Sequence, residues 1–543
     1  MTRLIDNLTD SLTNEKREGR SWWTASRGVS GPLQTFSAKA RSYGVGAVIL
    51  TIAAAIRLYR LGDVDPWIDE GFCLRMTEFS YFDIWDKTAQ DTHPPLYFWL
   101  LKLWQSIFGE SIESARLMSV VLGTLTVLFS WLFARELTAT EEARRDSNAW
   151  LAATIIALSP MHIHWASQVR MYVLLTTLSA AAAWLLVRVL KQSECCYGIW
   201  LLFAFLASSL VYTHVYGIFT VAALYGYTAG FLIVHRLARN HLWPCIVSMF
   251  AVYQVCSPWL LVLLEQQSRV RESFWIQPLT WESLGKAVFD QFYPTSSVSD
   301  AFPAAFKVAE SALIGQCLLQ LIVILLLGLC LSRRRFDGLL ICLISIPMAI
   351  SVGLSIAMRN IILGRYLIAV GLFVLVSIAL VIARIPNRHF RTATGVFFVA
   401  VTVLLSSAHI YARKAAADSP ALSVAVREYE KLRNKDEPIV VADPVLFLSV
   451  RPLANRPDSL RAFGSLGQHP FYLGTAVMSD LDFIDSSGVD ALPRDWVWTL
   501  ASIKGGRRRH VQLSSNWQLQ AEKTFTKPNE KLILRLFRRR NGT

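Results

Sequence analysis

Asp69 and Glu70 stand side by side in DPWIDEGFCLR (65–75), just after the first long apolar segment of a 543-residue chain. DTHPPLYFWLL (91–101) follows with Asp91 and His93. Farther on, SPMHIHWASQVRMY carries His162, His164, Gln168, Arg170 and Tyr172, and YTHVYG carries Tyr212, His214 and Tyr216. MRNIILGRYL adds Arg359, Arg365 and Tyr366. Two carboxylates among several arginines suit a reaction in which a hydroxyl loses a proton while a phosphate leaves. Guanidinium is the side chain best matched to phosphate oxygens. Each residue also has a plainer explanation. Asp69 and Glu70 could cap or solvate a loop, and His93 before Pro94–Pro95 could set a turn. Arg170 and Arg365 could snorkel to headgroups, and His162 and His164, at i and i+2, do not share a helix face.

These residues must be positioned by membrane-crossing helices. Hydrophobic residues make up 53% of the chain, charged ones 17%, and mean hydropathy is +0.38. A spanning helix needs about 20 mostly apolar residues. Eleven segments qualify, near 43–61, 114–137, 148–166, 170–190, 198–214, 216–235, 244–264, 311–331, 337–357, 362–383 and 392–411. The N-terminus is polar and basic, with no short apolar core before a cleavage site, so the first span is expected to be an uncleaved anchor. Basic residues then recur in alternate loops: Arg135, Arg144 and Arg145; Arg188 and Lys191; His235, Arg236 and Arg239; Arg333–Arg335; and Arg384, Arg388 and Arg391. That register places those loops in the cytoplasm and the Asp69–Glu70 pair outside it. It also draws the four groups of chemical residues to one membrane depth, where ionisable side chains are costly and point to function.

The net charge of +14 is explained largely by these loops, so nucleic acid is not an expected partner. GGRRRH (505–510) and RLFRRR (535–540) read as solvated basic surface. The eight cysteines lie mostly in or beside apolar segments and suggest no disulfide framework. A metal site from His93, His162, His164, His214 and Asp91 is conceivable, but no ligand spacing demands one.

The expected fold class is an all-α polytopic membrane protein of about eleven spans with a small α/β extracytoplasmic C-terminal domain. Its divisions are a cytoplasmic basic tail (1–42), a membrane body (43–412) with long external loops at 62–113 and 265–310, and a water-soluble tail (413–543). Within the loops, the stretch after Pro94–Pro95 and WESLGKAVFDQF read as interfacial helices. In the tail, IVVAD (439–443) and VLFLSV (445–450) have strand composition, and WQLQAEKTF with KLILRLF reads as a hairpin around TKPNE.

The order PWIDEG, HPPLYFWL, SPMHIHWASQVRMY and GRYL resembles the GT-C glycosyltransferases over about residues 45–410. More narrowly, it is similar to the branch of protein O-mannosyltransferases, lipid A aminoarabinose transferases and rhizobial galacturonosyltransferase-like proteins. The resemblance implies sugar transfer from a polyprenyl-phosphate carrier to an acceptor outside the cytoplasm, in a bacterial inner membrane. It makes Asp69 the general base for an acceptor hydroxyl and gives Glu70 an orienting role. Arg170 and Arg365, supported by Tyr172 and Tyr366, would hold the donor phosphate, with Asp91, His93 and His214 as further substrate-binding residues. One departure is that Thr92–His93–Pro94 stands where the aminoarabinose branch has Glu-Lys-Pro, so a second-acid role for Asp91 does not carry over. No cofactor is required by the sequence, and a divalent metal is left open. Composition alone also permits a transporter or flippase of an anionic or lipid-linked substrate, or an envelope scaffold. The clustering of charge at one face, without paired broken helices, favours the enzyme.

Overall fold

A computed structural model of the chain describes residues 32–138, 142–272, 275–295, 308–332, 334–434, 437–504, 507–527 and 530–540. Most of the basic N-terminal tail, Gly505–Gly506 and residues 273–274 and 296–307 of the 265–310 loop lie outside the described residues. The helices in chain order are α1 (Pro32–Leu58), α2 (Ile68–Thr77), α3 (Tyr81–Gln90), α4 (Leu96–Phe108), α5 (Ile112–Leu137), α6 (Glu142–Ala157), α7 (Pro160–Trp165), α8 (Tyr172–Leu190), α9 (Tyr197–Val211) and α10 (Val215–Val234). They continue with α11 (Leu242–Glu272), α12 (Trp281–Phe289), α13 (Val308–Ser332), α14 (Asp337–Ala357), α15 (Ile368–Ala383), α16 (Arg388–Asp418), α17 (Ala421–Leu432), α18 (Pro444–Val450) and α19 (Ser486–Asp490).

Eight of these helical segments are long and apolar enough to cross a membrane, and three shorter apolar ones, Tyr43–Leu58, Asn148–Ala157 and Tyr197–Val211, fall on the remaining expected spans. The protein is therefore an integral membrane protein. The third expected span is corrected in one respect. It is not continuous over 148–166, because α6 stops at Ala157 and Pro160, which lacks an N–H, opens the separate helix α7. Arg57 closes that break by donating from Nη1 to the Ala157 carbonyl at 3.0 Å.

The basic loop residues gather at one end of the bundle. Lys191 pairs with Glu136 at 3.0 Å, Arg335 donates to the Leu190 carbonyl at 3.2 Å, and Arg384 makes a two-pronged pair with Asp337 at 2.6 and 2.7 Å. Tyr172 and Leu190 terminate α8, whose 19 residues separate those ends by about 28 Å at 1.5 Å per residue. The candidate chemical residues lie at the Tyr172 end.

The first long loop is built from helices. Asp69 and Glu70 occupy the first turn of α2, where carboxylates complement the unpaired N–H groups and positive end of the helix dipole. Ser80 and Asp83 form a capping box at the start of α3, and α4 begins directly after Pro94–Pro95.

Beyond α16 and α17, the tail forms a mixed sheet of β1 (Ile439–Val441), β2 (Leu460–Phe463), β3 (Phe483–Ile484), β4 (Trp496–Lys504), β5 (Arg507–Arg509), β6 (Trp517–Lys527) and β7 (Glu530–Arg539). Its order is β3-β2-β1-β4-β7-β6, with β5 on β4. The expected hairpin is β6–β7. VLFLSV, expected as a strand, is helix α18 instead. Asp443 accepts from the Leu446 N–H at 2.9 Å as N-cap and Pro444 takes the first helical position, local signals that override a strand-like apolar run.

Residues Ile49–Thr543 form one compact unit, and α18 is where the tail grips the first long loop. Gly71 of α2 lies against α18 so closely that an added Cβ would overlap the Leu448 carbonyl. Arg451 reaches Glu78 at 2.8 Å, and Lys87 donates to the Ala476 carbonyl at 3.1 Å. Gly71→Ala should therefore push α2 off α18, lowering stability by about 1–3 kcal/mol and disturbing the residues on either side of it. Thermal unfolding in detergent checks this, with an unchanged midpoint counting against the contact.

Candidate active site

Three segments meet at Arg170, which is 3% exposed. Its Nη2 lies 3.6 Å from Asp69 Oδ2, 3.3 Å from His93 Nε2 and 3.4 Å from the Tyr172 hydroxyl, while Nη1 lies 3.6 Å from Cys73 Sγ. His93 Nδ1 is 2.8 Å from Asp91 Oδ2. Because the guanidinium can only donate, His93 Nε2 must accept from it, which leaves the ring proton on Nδ1 facing Asp91. Burial works to raise the Asp91 pKa, but hydrogen bonds from His93 and the Thr92 N–H, with the nearby Arg170 charge, outweigh it and hold the carboxyl below its ordinary range. The result is an ordered row of Asp91, His93, Arg170 and Asp69.

An aromatic floor supports this row. Rings of His93 and His214 lie 5.8 Å apart, Tyr172 and His214 5.8 Å, His214 and Tyr366 5.1 Å, and Tyr172 and Tyr366 6.1 Å. His214 is itself fixed by accepting the Tyr216 N–H at 3.2 Å, and the Leu96 N–H donates to the Tyr212 carbonyl at 3.0 Å, joining α4 to this turn. Arg365 sits over Trp275 at 5.3 Å and beside Tyr366 at 5.6 Å. Its turn is held where Gln291, after α12, donates to the Gly364 carbonyl at 2.7 Å.

The two adjacent carboxylates have different environments. The Asp69 side chain is 24% exposed, and its described partner is the single, long contact to Arg170. Glu70 is 1% exposed and fully engaged. It accepts from Arg116 Nε at 2.8 Å and Nη2 at 2.7 Å, and from the Val169 N–H at 3.0 Å. Arg116 also donates to the carbonyls of Leu61 and Val64 at 2.8 and 3.0 Å. Asp69 is the more accessible and less engaged of the two carboxylates, while Glu70 ties α2, α5 and the Val169–Arg170 turn together. Arg116 was not anticipated from the sequence. Its signal was a lone arginine inside the first turns of an apolar segment. Cys73 touches Arg170 but is no nucleophile, because burial pushes its thiol up to about 12.

The structure thus gathers Asp69, Asp91, His93, Arg170, Tyr172, His214, Arg365 and Tyr366, with Glu70 immediately behind. His162 and His164 stand apart. His164 packs on His409 with rings 5.4 Å apart. Among the described residues no group of three or more His, Cys, Asp or Glu side chains is placed to hold a metal ion.

Beside the cluster lies a cavity of about 760 Å³ between the helical bundle and the tail, within the size range of small-molecule sites. Trp67, Ile68 and Glu70, the neighbours of Asp69, line it on one side together with Arg365, and Asp443, Ser502 and Lys527 line it from the tail.

Residues 92–261 match the family of dolichyl-phosphate-mannose-protein mannosyltransferases. Among solved structures, the chain is similar to ArnT from Cupriavidus metallidurans. For ArnT bound to undecaprenyl phosphate, identity is 14%, coverage is 90% of this chain and 97% of that one, and the TM-score is 0.53. For apo ArnT the identity is again 14%, with 91% and 98% covered and a TM-score of 0.55. An oligosaccharyltransferase from Archaeoglobus fulgidus overlays more loosely, at 13% identity, 83% and 67% coverage and a TM-score of 0.45. A comparison with curated protein sequences gives no match. The GT-C resemblance read from the sequence is borne out. The chain has that fold, and the mannosyltransferase-family stretch carries His93, Arg170 and His214.

Proposed function

We propose that the chain transfers a sugar from a polyprenyl-phosphate carrier to an acceptor hydroxyl, with inversion at the anomeric carbon. The observation that carries this reading is the water-accessible Asp69 carboxylate at 3.6 Å from the buried Arg170 guanidinium, with Arg365 beside the same tyrosines. Asp69 takes the acceptor O–H proton, and the oxygen attacks the anomeric carbon as its bond to the carrier phosphate breaks. The departing polyprenyl phosphate gains negative charge, which Arg170 and Arg365 stabilise with preorganised donors. The Asp91–His93 pair fixes the orientation of Arg170, and Tyr172, His214 and Tyr366 shape the pocket around the sugar. Glu70 acts through Arg116 and Val169 as a positioning residue. Undecaprenyl phosphate bound to the similarly folded ArnT supports the class of donor.

In this reading the cluster and the tail (413–543) face the outside of a bacterial inner membrane, with residues 1–42 in the cytoplasm and the membrane body at 43–412. The acceptor is a protein, lipid A or an envelope glycan, and the sugar a hexose or pentose. No cofactor takes part in the steps above, although a divalent metal could assist the leaving phosphate. The test is purified protein in nanodiscs, given a panel of polyprenyl-phosphate sugars and an envelope extract and followed by mass spectrometry. Loss of a donor matched by free polyprenyl phosphate and a sugar-bearing product is the expected outcome. Movement of an intact donor across sealed vesicles, with no product, would replace the enzyme by a flippase.

A further inference from the structure

A second cavity lies at the end of the bundle that carries Lys191, Arg335 and Arg384. It is a groove of about 450 Å³ between α6, the last turn of α15 and the start of α16. Along α16, Arg391 and Thr392 line its outer end, and Val396 and Val399 line it farther in. On α6, Asn148 precedes Leu151 in the same sense. The groove is therefore polar at the end of the bundle and apolar toward the membrane interior. Gly395 forms part of the wall, and a Cβ there would meet nothing nearer than Ile382 Cγ2 at 3.7 Å. Val396 and Phe397 beside it are 63% and 68% exposed, so this flank of α16 faces the bilayer rather than protein.

The cations at the mouth of this groove differ from their neighbours. Arg384 is paired with Asp337, Lys191 with Glu136, and Arg135 with Asp146 at 2.6 Å. Arg388 and Arg391, at i and i+3, share one face of α16. Neither has a carboxylate within 4 Å among the described residues, and the first turn of α16 contains no acidic residue. Arg391 Nη1 donates to the Ile385 carbonyl at 3.1 Å, which holds the guanidinium across the α15–α16 turn. A guanidinium has more donors than this one bond uses. Two guanidinium groups without carboxylates attract a phosphodiester and repel the ammonium of a zwitterionic headgroup. Basic pockets between transmembrane helices are a known setting for anionic lipid headgroups.

We propose that this groove binds one anionic phospholipid of the phosphatidylglycerol class. Its phosphodiester lies against Arg388 and Arg391, Asn148 and Thr392 hydrogen-bond headgroup oxygens, and an acyl chain runs past Leu151, Val396 and Val399. The bound lipid bridges α6 to α16, a helix that buries few of its own residues against the protein and leads directly into α17 and the sheet of the tail. The site is independent of sugar transfer, so the failure of either reading leaves the other intact. Only its placement in the cytoplasmic leaflet rests on the topology proposed above.

The test is native mass spectrometry of the full chain, delipidated in detergent and titrated with phosphatidylglycerol or phosphatidylcholine of identical acyl chains. The first phosphatidylglycerol should bind about ten- to thirtyfold more tightly than phosphatidylcholine, the preference expected from two cations near a headgroup. Arg388→Gln combined with Arg391→Gln should abolish that preference. Lys191→Gln, which removes a cation already paired with Glu136, should keep it. Gly395→Leu places a side chain in the groove and should weaken the first phosphatidylglycerol about tenfold. Its thermal midpoint should not fall, since leucine is a better helix former than glycine, so this variant keeps the test decisive if the double arginine variant fails to fold. Equal binding of the two lipids by wild type overturns the proposal, as does a preference that survives loss of both arginines or full affinity in Gly395→Leu. Loss of the preference in Lys191→Gln would assign it to the diffuse charge of this end and overturn the site. Displacement of the lipid by inorganic phosphate would mean an anion site with no acyl chain, and would overturn it too.

Discussion

If the chain is the proposed glycosyltransferase, Asp69→Asn should leave the protein folded and able to hold its polyprenyl-phosphate donor while lowering sugar transfer by about 10²–10⁴-fold, the range for loss of a positioned general base. The substitution is nearly isosteric, and Asp69 is partly exposed with its one long contact to Arg170, so little packing energy is at stake. The proton of the acceptor hydroxyl then has no carboxylate to receive it, because Glu70 is occupied by Arg116 and Val169. Asp91, held ionised beside His93, is separated from Asp69 by Arg170 in the row and should not substitute. Transfer at the wild-type rate by a variant with an unchanged thermal midpoint would remove Asp69 from the role of base.

The second large effect concerns folding rather than chemistry. Arg116→Ala removes both donors to Glu70 and the ties to Leu61 and Val64. It leaves a carboxylate that is 1% exposed without its cation. Truncating one partner of a buried pair costs about 3–5 kcal/mol, mostly the penalty for the charge left behind. Arg116→Lys should recover little, since an ammonium cannot reach two carboxylate oxygens and two carbonyls in one plane. Arg116→Ala with Glu70→Gln should be less damaging than Arg116→Ala alone, because the stranded charge is gone. Thermal unfolding of the three variants in detergent checks this order, and equal midpoints for wild type and Arg116→Ala would show that the pair does not hold the loop.

Much of this arrangement was legible because membrane chains write their topology in composition. Apolar length gave the helices, and the alternation of basic loops matched the gathering of Lys191, Arg335 and Arg384 at one end. The same alternation implied that Asp69, His93, Arg170, His214 and Arg365 would share the other end, and they meet there. What the sequence hid depends on long-range pairing. Nothing local distinguishes Glu70 from Asp69; the difference is Arg116, 46 residues away. VLFLSV reads as a strand until the cap by Asp443 and the start at Pro444 are weighed. The contact between Gly71 and Leu448 joins segments whose proximity no spacing rule announces. His409 and Arg413 read as the end of a span, and only the packing of the tail turns them into a cavity wall.

The most direct test of the central claim, a single displacement with Asp69 as base, is the anomeric configuration of the product. A donor of known configuration would be turned over by wild-type protein in nanodiscs, and the new glycosidic bond assigned by its NMR coupling constants. The account requires inversion, with one polyprenyl phosphate released per sugar transferred. Retention of the donor's configuration would mean a covalent glycosyl intermediate or a different reaction, and would contradict it.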